Sequence, residues 1–264
     1  VLFTVEGFWL LGQDVDAVYL GFVFLATVLI YSTHRIIGIK KLAVVSEQGR
    51  FQVIKKYRHH LHIYTAISLV GMLWLLPQLS LLVILSLLPL GVVSILYTLP
   101  FLGGARLRDL HYIKIVLIAI VWSGLAVLPI LLHQGISVPL AFVFMEKMCF
   151  MVAITIPFDV RDLGIDGGLK TIPQLLGINK AYNLAYLLLG MGWLCLCLAL
   201  VSGAGIVAGL RIEWLLAVGI IHLLTFALLR VSKGKTSDYY FSGALDGTLI
   251  LRGIILYGVM LFHY

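Results

Sequence analysis

The chain is a succession of apolar runs, each close to twenty residues long, separated by short polar turns. An α-helix needs about that length to cross the hydrocarbon core of a bilayer. The runs predict helices over 15–37, 58–77, 79–98, 113–132, 138–158, 179–202, 212–230 and 243–262, after a shorter one at 1–11. Membrane strands would alternate apolar and polar positions, and these runs are near-continuous, so a barrel is excluded. Pro77, Pro100, Pro139 and Pro157 fall at run ends, where a missing N–H costs least. Pro89 and Pro129 fall inside runs and predict kinks that neighbouring helices accommodate. No fixed-period repeat, low-complexity tract or linker breaks the series. The expected fold class is all-α: a polytopic transmembrane helical bundle of about eight full spans, forming one domain over 1–264. The opening run is short for a span, and the expectation is that most of its helix precedes Val1.

Composition sharpens the class. Of 264 residues, 61% are hydrophobic and 12% charged, against about 45–50% and about 25% in a soluble domain. An extramembrane enzyme on an anchor, a disulfide-stapled module and a disordered chain are all excluded. Cys149, Cys195 and Cys197 sit in apolar runs without a CxxC pair, which gives neither a disulfide framework nor a zinc site.

The net charge of +7 reads as topology before it reads as a nucleic-acid surface. Connections at 38–57, 99–112, 159–178 and 231–242 hold or adjoin every Lys and Arg except Lys147, Arg211 and Arg252. The intervening connections at 12–14, 78, 133–137 and 203–211 are short and nearly free of cations. The positive-inside bias puts the first set in the cytoplasm and Tyr264 outside. An integral multi-pass protein of a bacterial inner membrane is expected, with its chemistry on the cytoplasmic face.

The cation-rich face also carries Glu47, Asp109, Asp159, Asp162, Asp166, Asp238 and Asp246. Acids set among cations suit a doubly charged species bound through a divalent metal, and diphosphate is the obvious candidate. The sharpest constellation is PFDVRDLGIDGGLKTIPQLLG, residues 157–177. Asp159, Asp162 and Asp166 are spaced i, i+3, i+7, so a helix continued through them would project three carboxylates from one face. Such a trio repels itself unless a cation intervenes, and magnesium, with its taste for carboxylate, water and phosphate oxygens, fits. Gly167 and Gly168 would then end the helix, with Lys170 in reach of a phosphate. The competing reading is a solvated polar loop.

This segment resembles the second aspartate-rich motif of the UbiA superfamily of intramembrane prenyltransferases. The match runs through Asp162, Asp166, Gly168, Lys170, Thr171, Leu176 and Gly177, with Asp159 one turn earlier. The stretch LYTLPFLGGARLRDLHYIK, residues 96–114, is similar to the family's tyrosine-containing segment with a basic pair. The resemblance implies a nine-helix bundle and transfer of a prenyl group from an allylic diphosphate to a small aromatic or quinone-precursor acceptor within the membrane. It implies Mg2+ held by Asp159, Asp162 and Asp166, with Asp162, Asp166 and Tyr97 catalytic. One or both of Arg106 and Arg108 would serve the diphosphate, with Lys114 and Lys170. The implied partners are the prenyl diphosphate, the acceptor and membrane lipid, with no nucleic acid.

One departure stands out. The family's first aspartate-rich motif would fall in IYSTHRIIGIKK, residues 30–41, which contains no acid; His34 and Arg35 occupy its place. Either Arg35, Lys40 or Lys41 binds diphosphate directly, a fixed cation replacing a metal, or the chain binds a polyprenyl lipid without ionising it.

Other features carry less. Tyr31, Tyr97, Tyr182 and Tyr239 could face an allylic cation or simply belong to an interfacial aromatic belt. His59, His60 and His62 lack the i, i+4 spacing of a helical ligand pair. Glu146 and Lys147 lie near mid-span and, being adjacent, each need a partner on another helix. Asp246 is a possible member of the pocket, with Arg252 six residues further along. Residues 42–57 read as an amphipathic lid or a plain basic loop. Besides the transferase and the lipid binder, a transporter with a carboxylate ion site is the third reading. Its charges would sit near the bilayer midplane, whereas most acids here gather at one interface.

Overall fold

The structure, a computed structural model, describes residues 1–11, 14–42, 56–100, 106–110, 112–164, 170–202, 212–235 and 237–261. Among these residues it is helical, with no strand. The helices are α1 (Leu2–Leu11), α2 (Ala17–Leu42), α3 (Arg58–Leu75), α4 (Leu81–Thr98) and α5 (Lys114–Gln134), then α6 (Val138–Arg161), α7 (Ile172–Leu176), α8 (Ile178–Ser202), α9 (Ile212–Ser232) and α10 (Gly247–Leu261). A π-helical turn, Tyr240–Leu245, leads into α10. Eight of these segments are long and apolar enough to cross a membrane, as an integral multi-pass chain requires.

Local chemistry sets the helix ends. Ser80 and Ser137 accept the backbone N–H groups of Val83 and Leu140, capping α4 and α6. Asp16 does the same for α2, accepting from Val18 and Tyr19 at 2.9 and 3.0 Å. Gly135, with φ 72°, closes α5 in a conformation a side chain would disfavour. Pro139 sits in the first turn of α6, where it is harmless; Pro89, Pro129 and Pro157 all lie inside helices. Pro157 was expected at a span end, but α6 runs on to Arg161. The last span begins at Tyr240, earlier than expected, through the π-helical turn.

By internal packing the chain divides into two units, Asp16–Leu107 with Val1, and Leu2–Val15 with Arg108–Tyr264. In the first, α2 packs along α3 and meets α4. Gly71 gives the α2–α3 contact its closeness, since a Cβ there would lie 2.7 Å from the Leu25 side chain. In the second, α6 is the central helix. It packs against α5 and α8 and buries residues on every face, from Pro139 through Phe150 to Asp159. Helix α1 belongs to this second unit, wedged against α5 and α10. Gly7 faces the Ala126 carbonyl and Gly253 faces Leu2, both too closely for any larger residue.

Candidate functional site

The C-terminal end of α6 carries two of the predicted carboxylates, Asp159 and Asp162. The α-helix stops at Arg161, and Asp162–Gly164 tighten into a 3-10 turn. Among the described residues, the helical face expected for Asp159, Asp162 and Asp166 is therefore broken after Arg161, where α6 ends. Asp166 lies outside the described residues. Asp159 is buried, 2% exposed, and accepts a hydrogen bond from Lys114 Nζ at 2.8 Å. Asp162 accepts two from its neighbour Arg161, Nε to Oδ1 at 2.8 Å and Nη2 to Oδ2 at 3.1 Å. Among the described residues, no three His, Cys, Asp or Glu side chains are grouped to hold a metal ion.

A small pocket gathers several predicted residues. Arg108, Lys114, Lys170 and Asp159 line it together with Tyr112 and Thr171, all within the second unit. The backbone explains the meeting. Tyr112 N–H donates to the Lys170 carbonyl at 3.0 Å, which ties the connection before α5 to the connection after α6. Tyr112 does so at φ 64°, a left-handed conformation that a tyrosine adopts only under constraint. Thr171 then starts α7, where its own N–H donates to the Gln174 side chain at 3.1 Å, and Pro173 sits in the first turn. Gly177 at φ 79° ends that turn of helix and admits α8. Among the described residues, the pocket lining holds three cationic side chains and one carboxylate, which is paired with Lys114.

Of the remaining predicted residues, Arg35, Tyr97 and Arg106 lie in the first unit, and Tyr182, Tyr239 and Asp246 in the second. Arg35 is exposed and stacks its guanidinium 5.5 Å from the Tyr31 ring centre. Tyr97 and His34 face each other at 6.3 Å between ring centres. Arg106 is half-buried; the side chains of Lys40 and Lys41, and most of the 42–57 segment, lie outside the described residues. Of the other tyrosines, Tyr182 is buried and hydrogen-bonded to Ser232 at 3.0 Å, whereas Tyr239 is exposed.

Two clusters escape the sequence reading. Arg161, counted only as a topology cation, is a hub. It donates to Asp238 Oδ1 at 3.0 Å as well as to Asp162, with its guanidinium 5.2 Å from the Phe158 ring centre and 5.0 Å from that of Phe241. Phe241 belongs to the π-helical turn, a distortion enriched at functional sites. The second cluster lies inside the second unit, near the middles of its helices. Arg252 donates to Glu6 through Nε and Nη2 at 2.9 and 2.6 Å, and to Glu146 through Nη1 and Nη2 at 2.7 and 2.9 Å. Lys147 Nζ stands 2.8 Å from Glu6, and His222 Nε2 stands 3.5 Å from Glu146. All five are at most 5% exposed. Phe3 and Phe150 cover the cations, their ring centres 5.3 and 5.0 Å from the Arg252 guanidinium. Four mid-span charges of zero sum were the available signal; the pairing between helices was not in it.

No family model, curated protein or solved structure matches this chain.

Proposed function

We propose that the chain is a membrane-embedded transferase of the UbiA type, moving a prenyl group from an allylic diphosphate to a small aromatic or quinone-precursor acceptor. The observation that carries this reading is the convergence of Arg108, Lys114 and Lys170 on one pocket. Fixed cations at the mouth of an apolar bundle favour a diphosphate and stabilise the charge that develops as it leaves. Asp159 holds the Lys114 ammonium in place, and Lys170 is set by the Tyr112 hydrogen bond to its carbonyl. The isoprenoid tail would lie along apolar helix faces, and the pocket would open to the cytoplasm of a bacterial cell.

Asp159 and Asp162 are already neutralised by Lys114 and Arg161, so as they stand they do not form a metal cage. Magnesium would come to the pocket as a companion of the diphosphate and help to neutralise its charge.

The test is direct. Purified protein in lipid nanodiscs is incubated with labelled allylic diphosphates of several chain lengths, with and without magnesium. Release of diphosphate in the presence of an aromatic acceptor is expected. Arg108→Ala and Lys170→Ala should each weaken diphosphate binding about ten-fold or more, since a charge-assisted hydrogen bond contributes roughly 1.5–3 kcal/mol. Retained binding without release at any chain length points to a lipid binder instead. Absence of binding overturns both. The buried charges of Glu6, Glu146, Lys147 and Arg252 are the observation that favours the transporter reading, because carriers place such groups deep within the bundle.

A further inference from the structure

His222 sits near the middle of α9, 5% exposed, and its hydrogen bonding fixes its tautomer. Nδ1 lies 2.8 Å from the Val218 carbonyl oxygen, which can only accept, so Nδ1 carries the hydrogen. In the neutral ring Nε2 then offers a lone pair. That atom is buried without a hydrogen-bond partner, and it faces Glu146 Oε1 at 3.5 Å. Glu146 Oε1 already accepts from Arg252 Nη1 at 2.7 Å, so of the two facing atoms it is Nε2 that lacks a partner, and a hydrogen added there would be donated to Oε1. We propose that the Glu146–His222 contact is a proton-binding site in the apolar interior of this unit, apart from the cation-lined pocket.

Glu6 and Glu146 balance Lys147 and Arg252, so the cluster is neutral while His222 is neutral. A proton drawn from the aqueous phase adds to the Nε2 lone pair, forms an N–H toward Glu146 Oε1 and breaks no other bond. The cluster then carries one positive charge.

Every element against His222 contributes. Burial is the largest influence and opposes the added charge, as do Lys147 from α6 and Arg252 from α10; Glu146 from α6 and Glu6 from α1 favour it. Cys149 on α6 and Cys195 on α8 are the neighbouring thiols, both within electrostatic reach of Glu146. Tyr240 of the π-helical turn bonds the Leu228 carbonyl further along α9. Gly192 lets α8 close over the pair, since a Cβ there would come 3.4 Å from Nε2 and 3.3 Å from the Cys149 Cβ. The Phe150 ring, 5.2 Å from the imidazole centre, completes the seal. A histidine–carboxylate pair at this depth is the unit from which intramembrane proton relays are made.

Nitrogen NMR of the full chain in nanodiscs, labelled with 15N-histidine, tests the proposal. At neutral pH one imidazole should show a protonated Nδ1 and a bare Nε2, the rarer tautomer, and His222→Gln should remove that signal. Acidification below neutral pH should convert it to the doubly protonated form. Glu146→Asp keeps the charge that Arg252 needs but withdraws the oxygen from Nε2, and should lower the proton affinity about ten-fold, one pH unit. An Nε2–H tautomer at neutral pH, no protonation within the folded range, or an unchanged midpoint in Glu146→Asp would each overturn it. The tautomer and the acid titration of the unmodified chain decide even where a variant does not fold.

Discussion

Arg252 is the residue on which the most depends. It is fully buried and holds two carboxylates through four hydrogen bonds. Removing one member of such a set is costly because the rest remain charged without compensation. Arg252→Met should destabilise the protein by about 3–5 kcal/mol, seen as a lower thermal midpoint in detergent. The double change Glu146→Gln, Arg252→Met should recover much of that loss, since Glu6 and Lys147 are left to pair with each other. A destabilisation equal in single and double variants would mean that the charges do not act as a set. At the other end of the unit, Asp238→Asn removes the Arg161–Asp238 pair; a loss of only about 0–1 kcal/mol is expected, because Asp238 is 41% exposed. What was legible at this scale follows from chemistry that is local in sequence. The need of Glu146 and Lys147 for partners on other helices followed from their adjacency on one helix. That the partners are Arg252 and Glu6, more than a hundred residues away, is tertiary information that no spacing rule carries. Arg161 was passed over because a cation at a helix end reads first as topology, and its acids Asp162 and Asp238 belong to different connections.

The helices were legible almost throughout, because near-continuous apolar runs of spanning length have few alternatives. The misses fall where side-chain capping, not hydropathy, sets the boundary. Helix α7 is five residues long and invisible to a twenty-residue window, although Thr171, Pro173 and Gln174 spell its start. The end of α6 at Arg161, which breaks the expected face between Asp159 and Asp162, comes with the 3-10 turn Asp162–Gly164. Glycines at helix contacts carry a prediction at this scale. Gly7 on α1 presses on the Ala126 carbonyl, and a Cβ there has no room. Gly258 on α10 faces open space. Gly7→Ala should cost about 1–3 kcal/mol by forcing α1 off α5. Gly258→Ala should be neutral or stabilising by up to about 1 kcal/mol, the ordinary helix preference. Thermal unfolding of the pair in one detergent separates packing from propensity, and equal shifts would remove the close-contact account of α1.

For the molecule as a whole, connectivity makes a demand that composition alone does not. Between the turn at 135–137 and the connection at 233–235 the chain runs through α6, α8 and α9, three helices each long and apolar enough to cross a bilayer. Three crossings put the two connections on opposite sides of the membrane. The cation pattern adds the direction: Lys233 and Lys235 flank the second connection, and the first has no Lys or Arg, so the second should be cytoplasmic. Ile136 is 92% exposed and Lys233 is also exposed, so both positions accept a label. In a chain with its native cysteines replaced, Ile136→Cys should react with an impermeant maleimide in intact cells. Lys233→Cys should react only after permeabilisation. The reverse pattern would keep the spans and invert the orientation, placing the Arg108–Lys170 pocket on the outer face, away from any cytoplasmic diphosphate. Labelling of both positions from one side would mean that one of the three helices does not cross. Helix α6 is the least dispensable of them, because its buried Glu146 and Lys147 meet their partners only from within the bundle.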